Sequence, residues 1–380
     1  MVNLHNPMDG NPVEGTTHSS GGRSLRREIS RKANHTIPKE EKNMKKTLKK
    51  VLALGAAAVM TIGCFSFTAM AEEAKDYTIA VVVKGNTNGW FVRMEEGIKR
   101  YAEETGINAY MTGPSDTDSA QQIQILQDVV SQNPDAICVV PIDPAACENV
   151  LMEAREKGIK VICHEGSSVE NCDYDVEAFD NAGYGAFIMD ELAKLMGEEG
   201  EYITMVGYLT SASHNEWADG AVARQEEAYP NMTLAPEKRL ESENSAETAY
   251  EVAKQYLKTN PNIKGFTGSS SDDTPGVARA INELGLKGKV FVVGTGMPNE
   301  CRELLKSGDL DTITLWDPAD AGYAMCNLAT QVLDGKEIGE GTDLGVTGYD
   351  NLKVSADDAN LLMGDASIAI TAENVDDYNF

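Results

Sequence analysis

Thr78-Ile79-Ala80-Val81-Val82-Val83 is an unbroken apolar run with no polar alternation. A strand of that kind is covered on both faces, as happens where helices flank a parallel sheet. The run ends in Lys84. A short polar link with Asn86 and Asn88 follows, and then Trp90 to Glu104 takes up helical periodicity and stops at Gly106. Strand, short link and helix form one unit, and the unit repeats down the chain. Asn108 to Met111 reads as a short strand, and Asp118 caps a helix running to about Gln132. Asp135 to Val140 is another buried strand. Pro144 opens a helix closed by Gly158, and Lys160 to Cys163 is the next strand.

A second series starts near Asn181. Helices are predicted at 182–197, 215–228, 245–258, 274–284, 299–306 and 319–333. Strands lie between them at 202–206, around 233–240, and at 263–267, 290–293 and 312–315, with a Gly-rich, β-like tail to Phe380. Alternation with short connections predicts an α/β protein of two doubly wound parallel-sheet lobes. A chain of 380 residues is long enough for both.

The N-terminus is different. Residues 1–43 are polar and aperiodic and read as a disordered leader, consistent with a true start at Met44. From there Lys45, Lys46, Lys49 and Lys50 form a basic region, Val51 to Phe67 an apolar one, and Ala69-Met70-Ala71 a cleavage site. Residues 44–71 are thus predicted to be a signal peptide. The competing readings are a membrane anchor and, through Thr61-Ile62-Gly63-Cys64, a lipid attachment at Cys64. The net charge is −27. Residues 1–71 hold 11 basic and 5 acidic side chains, which leaves the remainder at −33. So acidic a surface argues against nucleic acid and anionic membrane as partners and suits a soluble, monomeric exported protein. Six cysteines follow Cys64, none at zinc-ligand spacing, and no metal or cofactor is expected. Export permits disulfides, with Cys147–Cys172 the preferred pair, while Cys138 and Cys163 lie in strand-like runs and read as buried small hydrophobes.

In open α/β sheets, ligands sit beyond the carboxyl ends of the strands. That rule selects Lys84, Asn88, Trp90 and Phe91 after the first strand, Asp143 after the third and Glu165 after the fourth. From the second lobe it selects Ser213, His214 and Asn215, then Ser269, Ser271 and Asp272, and finally Trp316 and Asp317. Each has a blander alternative. Lys84 could be a solvated surface residue, Asp272 and Asp273 helix caps, and Asp317 a hinge residue ahead of Pro318. Trp90 and Phe91 are adjacent on a helix, so one is expected in the core and the other at the ligand. Carboxylates, amides, hydroxyls and rings together suit a sugar: polar groups bond paired hydroxyls, and aromatic faces cover the C–H side. Glu165 and Asp317 could also form a glycosidase pair. Nothing else supports an enzyme, since phosphate loops, nucleophile elbows and cofactor fingerprints are absent from the sequence.

On these residues the chain resembles the type I periplasmic-binding family, and within it the branch of autoinducer-2-binding and rhamnose-binding proteins. The likeness is carried by Val82-Val83-Lys84 through Asn88-Gly89-Trp90-Phe91, Thr112-Gly113-Pro114, Gln121-Ile123-Leu126 and Ile142-Asp143-Pro144. Leu315-Trp316-Asp317-Pro318 with Gly322-Tyr323, and Asn374 to Tyr378, extend it to the C-terminus. The resemblance implies two lobes joined by three hinge strands. The first lobe would comprise 72–179 plus roughly 318–350, and the second 180–317 plus roughly 351–380. It also implies ligand-binding roles for Lys84 and Glu165, the latter standing where the branch usually has Asp. Ser213-His214 replaces an Asp-Gln pair, and Ser269-Ser270-Ser271 replaces Pro-x-Ala. These departures favour a monosaccharide over autoinducer-2. The expected partners are the permease and ATPase of an ABC importer, with a chemoreceptor or sensor kinase as the alternative, at a periplasmic or cell-surface location.

Overall fold

The computed structural model describes residues 76–380, so the predicted leader, the signal peptide and Cys64 lie outside the described residues. The first lobe opens with β1 (Thr78–Val82), α1 (Gly89–Thr105), β2 (Asn108–Thr112), α2 (Ser119–Gln132), β3 (Ala136–Val139), α3 (Pro144–Glu156), β4 (Lys160–Cys163) and β5 (Tyr174–Glu177). The second holds α4 (Asn181–Met196), β6 (Gly200–Val206), α5 (Ala212–Ala228), β7 (Met232–Glu241), α6 (Ala246–Thr259), β8 (Ile263–Gly268), α7 (Asp273–Glu283), β9 (Phe291–Gly294), α8 (Pro298–Ser307) and β10 (Ile313–Leu315). After α9 (Pro318–Leu333) come three short strands: β11 (Lys353–Val354), β12 (Leu361–Met363) and β13 (Ile368–Ile370).

The first sheet has the order β11-β12-β5-β4-β3-β1-β2, parallel except at β11. The run that decides the fold is its centre: Ile79 to Val83 have no exposed surface. Burial of each such Val or Ile contributes roughly 1.5–3 kcal/mol. The second sheet is β7-β6-β8-β9, all parallel; a bridge from Thr295 to Thr314 links it to β10, which pairs with β13. The α/β architecture with two parallel sheets is thus the expected one.

Helix ends follow local chemistry. The side chains of Asn88, Asp118 and Asp143 accept hydrogen bonds from the first-turn amides of α1, α2 and α3, and Gly106 closes α1 at φ 75°. Where α1 crosses α9, a Cβ on Gly97 would lie 1.7 Å from the Ala319 carbonyl oxygen, so only glycine permits that approach.

The chain passes between the sheets three times: at Ala178–Asp180, at Trp316–Asp317 and at Gly364–Ser367. The tail departs from expectation. The sequence puts residues from roughly 351 onward in the second lobe, yet β12 pairs with β5 of the first sheet and the chain crosses only afterwards, to place β13 beside β10. Cys147 and Cys172 are both free thiols, which corrects the expected disulfide. Cys172 donates to the Val169 carbonyl instead. Cys138 and Cys163 are fully buried.

Candidate functional site

Between the lobes lies a narrow cleft whose empty space, open solvent included, is about 400 Å³. Its wall includes Lys84, Asn88, Trp90, Phe91, Glu165, His214, Ser269, Ser271 and Trp316 from the sequence-based selection. Trp90 and Phe91 both line it, so the helical-direction argument that sent one to the core does not hold at the first turn of α1.

The charged centre is the Lys84–Glu165 pair. Lys84 Nζ donates to Glu165 Oε2 at 2.5 Å, with both residues almost wholly buried. Ser213 Oγ, from the second lobe, donates to the same oxygen at 3.1 Å. Burial is the largest influence and pushes the Glu165 carboxyl up, but the Lys84 ammonium together with the imidazoles of His164 and His214 outweighs it, and the net value is about 2. The carboxylate is therefore ionised, and pair and site are close to neutral overall. Glu165 sits at φ 55°, a left-handed conformation that costs a non-glycine residue about 1–2 kcal/mol. Strain of this kind collects at functional sites.

His214 adds a donor without charge. Burial, then the nearby Lys84 ammonium, push its imidazole down to about 3, so the ring is neutral. Its Nδ1 accepts from the Gly207 amide at 3.1 Å, which puts the proton on Nε2. His214 and Ser213 stand in the first turn of α5, which begins three residues before the predicted helix.

Trp316 is the aromatic centre. Its ring lies 4.6 Å from Trp90, 5.1 Å from Phe179 and 5.4 Å from Trp217, all close to edge-on. Trp217 is tied to the first crossover by an indole N–H bond to Asn181 Oδ1 at 2.7 Å. The indole N–H groups of Trp90 and Trp316 are buried without a protein acceptor among the described residues.

Five selected residues are not in the wall: Ser213, which bonds Glu165, and four others for reasons the structure supplies. Asp143 is occupied in capping α3, accepting from Ala146 N at 3.2 Å. Asn215 points a third of a turn away from His214 and bonds Ser211 O at 2.7 Å and Arg239. Asp317 takes both oxygens to Arg93, at 2.9 and 2.7 Å, and caps α9. Its carboxylate is thus engaged by Arg93, and Asp317 does not join Glu165 in the cavity wall. Asp272 stands at the rim, where Asn88 Nδ2 donates to it across the lobes at 3.2 Å. Burial raises the Asp272 carboxyl to about 6; burial and then the Asp272 charge raise Glu300 to about 7.

Five wall residues were not selected: Thr117, Trp217, Asn244, Ser270 and Thr295. The strand-end rule covers Ser270 and Thr295, and applied to β2 and β7 it would have reached Thr117 and Asn244. Trp217 lies three residues after His214, the spacing of one helix face.

A periplasmic binding protein domain matches residues 79–337, and the chain belongs to that family. The D-allose-binding periplasmic protein of Escherichia coli K12 is 31% identical over 255 residues, which is 64% of this chain and 80% of that protein. The ribose import binding protein of Salmonella typhimurium is 25% identical over 78% of this chain and 95% of its own length. Among solved structures, LsrB from Clostridium saccharobutylicum in complex with AI-2 has a TM-score of 0.72 at 21% identity, covering 80% of this chain and all of that one. A solute-binding protein from Clostridium phytofermentas with bound L-rhamnose gives the same TM-score and identity over 80% and 98%. These structures share the fold, the type I architecture of two lobes around a cleft. The chain is accordingly a solute-binding protein of the sugar-binding ABC-transporter class.

Proposed function

We propose that this protein captures a neutral monosaccharide between its lobes and delivers it to the permease and ATPase of an ABC importer. The observation that carries the reading is the cavity's chemistry. A self-neutralised ion pair, an uncharged imidazole and serine hydroxyls face three tryptophan rings. Polar groups in this setting bond hydroxyls, the rings cover a sugar's C–H face, and the indole N–H groups of Trp90 and Trp316 are available to ligand oxygens. The absence of surplus charge disfavours sugar acids and phosphates. The relatives named for allose and ribose support the sugar class. Lys84, Asn88, Trp90, Phe91, Glu165, His214, Ser269, Ser271 and Trp316 are the proposed contacts. Ser213 acts through Glu165, and Asp272 at the rim.

The signal-peptide pattern supports a location outside the cytoplasmic membrane, with release after Ala71 or a lipid on Cys64 as the two routes. Among the described residues no helix is long and apolar enough to cross a membrane. The closing lobes could equally present the loaded form to a chemoreceptor or kinase. A thermal-shift screen with D-allose, D-ribose, L-rhamnose, D-arabinose and autoinducer-2 tests the ligand. At a hundred times Kd the expected gain is about 2.7 kcal/mol. A shift with autoinducer-2 alone would reassign the ligand, and no shift with any sugar would sink the sugar reading.

A further inference from the structure

Asp273 is wholly buried at the start of α7, next to the serine wall. A capping carboxylate accepts from amides ahead of it in its own helix. This one does the reverse: its Oδ2 accepts from the amides of Ser269 and Ser270, both at 2.9 Å, in the loop behind it. The approach is close enough that a Cβ on Gly268 would lie 2.8 Å from the Asp273 Cβ. The next residue works the same way on the neighbouring loop, since Thr274 Oγ1 donates to the carbonyl of Thr295, another wall residue. Ser269 Oγ is directed to the His214 carbonyl at 3.1 Å, while the Ser271 hydroxyl makes no hydrogen bond among the described residues.

We propose that Asp273 is a positioning residue for ligand recognition: by gripping two amides of the β8–α7 loop it fixes the hydroxyl wall that the second lobe presents to a sugar. This rests on the sugar reading of the cavity. Asp273 touches no ligand itself. It decides where the Ser271 hydroxyl stands, and so which ligand hydroxyl finds a partner. A carboxylate oxygen accepts from two buried amides more strongly than a neutral carboxamide oxygen does, and because burial pushes the Asp273 carboxyl up to about 7, Asp and Asn are compared at a pH of about 8, where the carboxylate prevails. The wall's geometry should therefore depend on the carboxylate in graded fashion: Asp best, Asn weaker, Ala absent.

The test measures affinity of the mature protein for two epimer pairs, D-ribose with D-arabinose and D-allose with D-glucose, by calorimetric titration. Asp273→Ala is expected to lose about 10- to 100-fold in affinity for the preferred sugar and to compress the ratio within its epimer pair. Asp273→Asn is expected to lose only about three- to tenfold. Wild-type affinity and ratio in Asp273→Ala would overturn the proposal. A uniform loss that leaves the ratio intact overturns it too, because that is the signature of a merely structural role. If Asp273→Ala does not fold, Asp273→Asn decides alone, and wild-type values in it count against the assignment. If the wild type binds none of these sugars, the sugar reading fails first. Asp273 is then tested by hydrogen exchange at the Ser269 and Ser270 amides, where equal rates in wild type and Asp273→Asn would overturn it.

Discussion

Lys84 and Glu165 meet the cavity from the first lobe as a buried ion pair 2.5 Å apart, whereas the second lobe meets it with a neutral His214 and a run of serines. The first wall is held by charge within its own lobe. The second is held by backbone clamps from helix first turns. A charge pair is costly to break and tolerates little change, while a clamped loop can exchange one hydroxyl for another at small cost. The first lobe is thus suited to supply affinity and the second to supply discrimination.

The comparison breaks most visibly at the pair. Glu165→Ala leaves the Lys84 ammonium buried without a partner and should cost about 3–5 kcal/mol of stability along with detectable sugar binding, read by urea unfolding and calorimetric titration. The double variant Lys84→Met, Glu165→Met should regain most of the stability and none of the binding. Recovery of both would show that the pair serves packing alone. Next in size is Trp316→Ala, which removes the ring that joins both lobes at a crossover. It should cost about 3–5 kcal/mol, together with cooperativity between the lobes, seen as a broadened or split thermal transition. A single sharp transition would mean that the other crossovers suffice.

A smaller effect comes from the rim. Asp272 and Glu300, both of the second lobe, face the start of α1, where Asn88 bonds Asp272 and the Glu300 carboxylate lies against Gly89. Burial raises them to about 6 and about 7. Carboxyls raised in this way bind protons more tightly when the lobes are together than when the cleft is open. Stability and affinity are therefore highest when both are protonated and fall as pH rises through 6 to 7. Glu165, held at about 2, stays ionised throughout that window. In an Asp273→Asn background, where the serine-loop clamp no longer titrates, sugar affinity should be higher at a pH of about 5 than at about 8, and adding Asp272→Asn with Glu300→Gln should flatten the profile. Asp273 and Asp175, raised by burial to about 7 and about 8, shift overall stability in the same direction from within single lobes, so the pair of rim variants is the discriminating control. Smallest is Ser271→Ala, expected to lower affinity by about 1 kcal/mol while leaving the melting temperature unchanged. A loss as large as that of Glu165→Ala would erase the proposed division between the lobes.

Both lobes were legible in the sequence because buried parallel strands leave continuous apolar runs and short polar links. The tail was not: β11 and β12 have two and three residues, too few for a period, and their return to β5 depends on a pairing far away in sequence. Much of the cavity wall followed from strand ends alone. The residues that failed did so because partners elsewhere claimed their polar atoms. Arg93 stands 224 positions from Asp317, and no local pattern announces that pair. Asp143 stands beyond a strand end, but its place before Pro144 makes it a cap.

The chain's three tryptophans, Trp90, Trp217 and Trp316, all stand in the cavity wall. The protein's tryptophan emission therefore originates at the one place where a ligand would arrive. A titration needs no dye, tag or engineered reporter, and stopped-flow mixing could time entry and lobe closure as separate phases of one native signal.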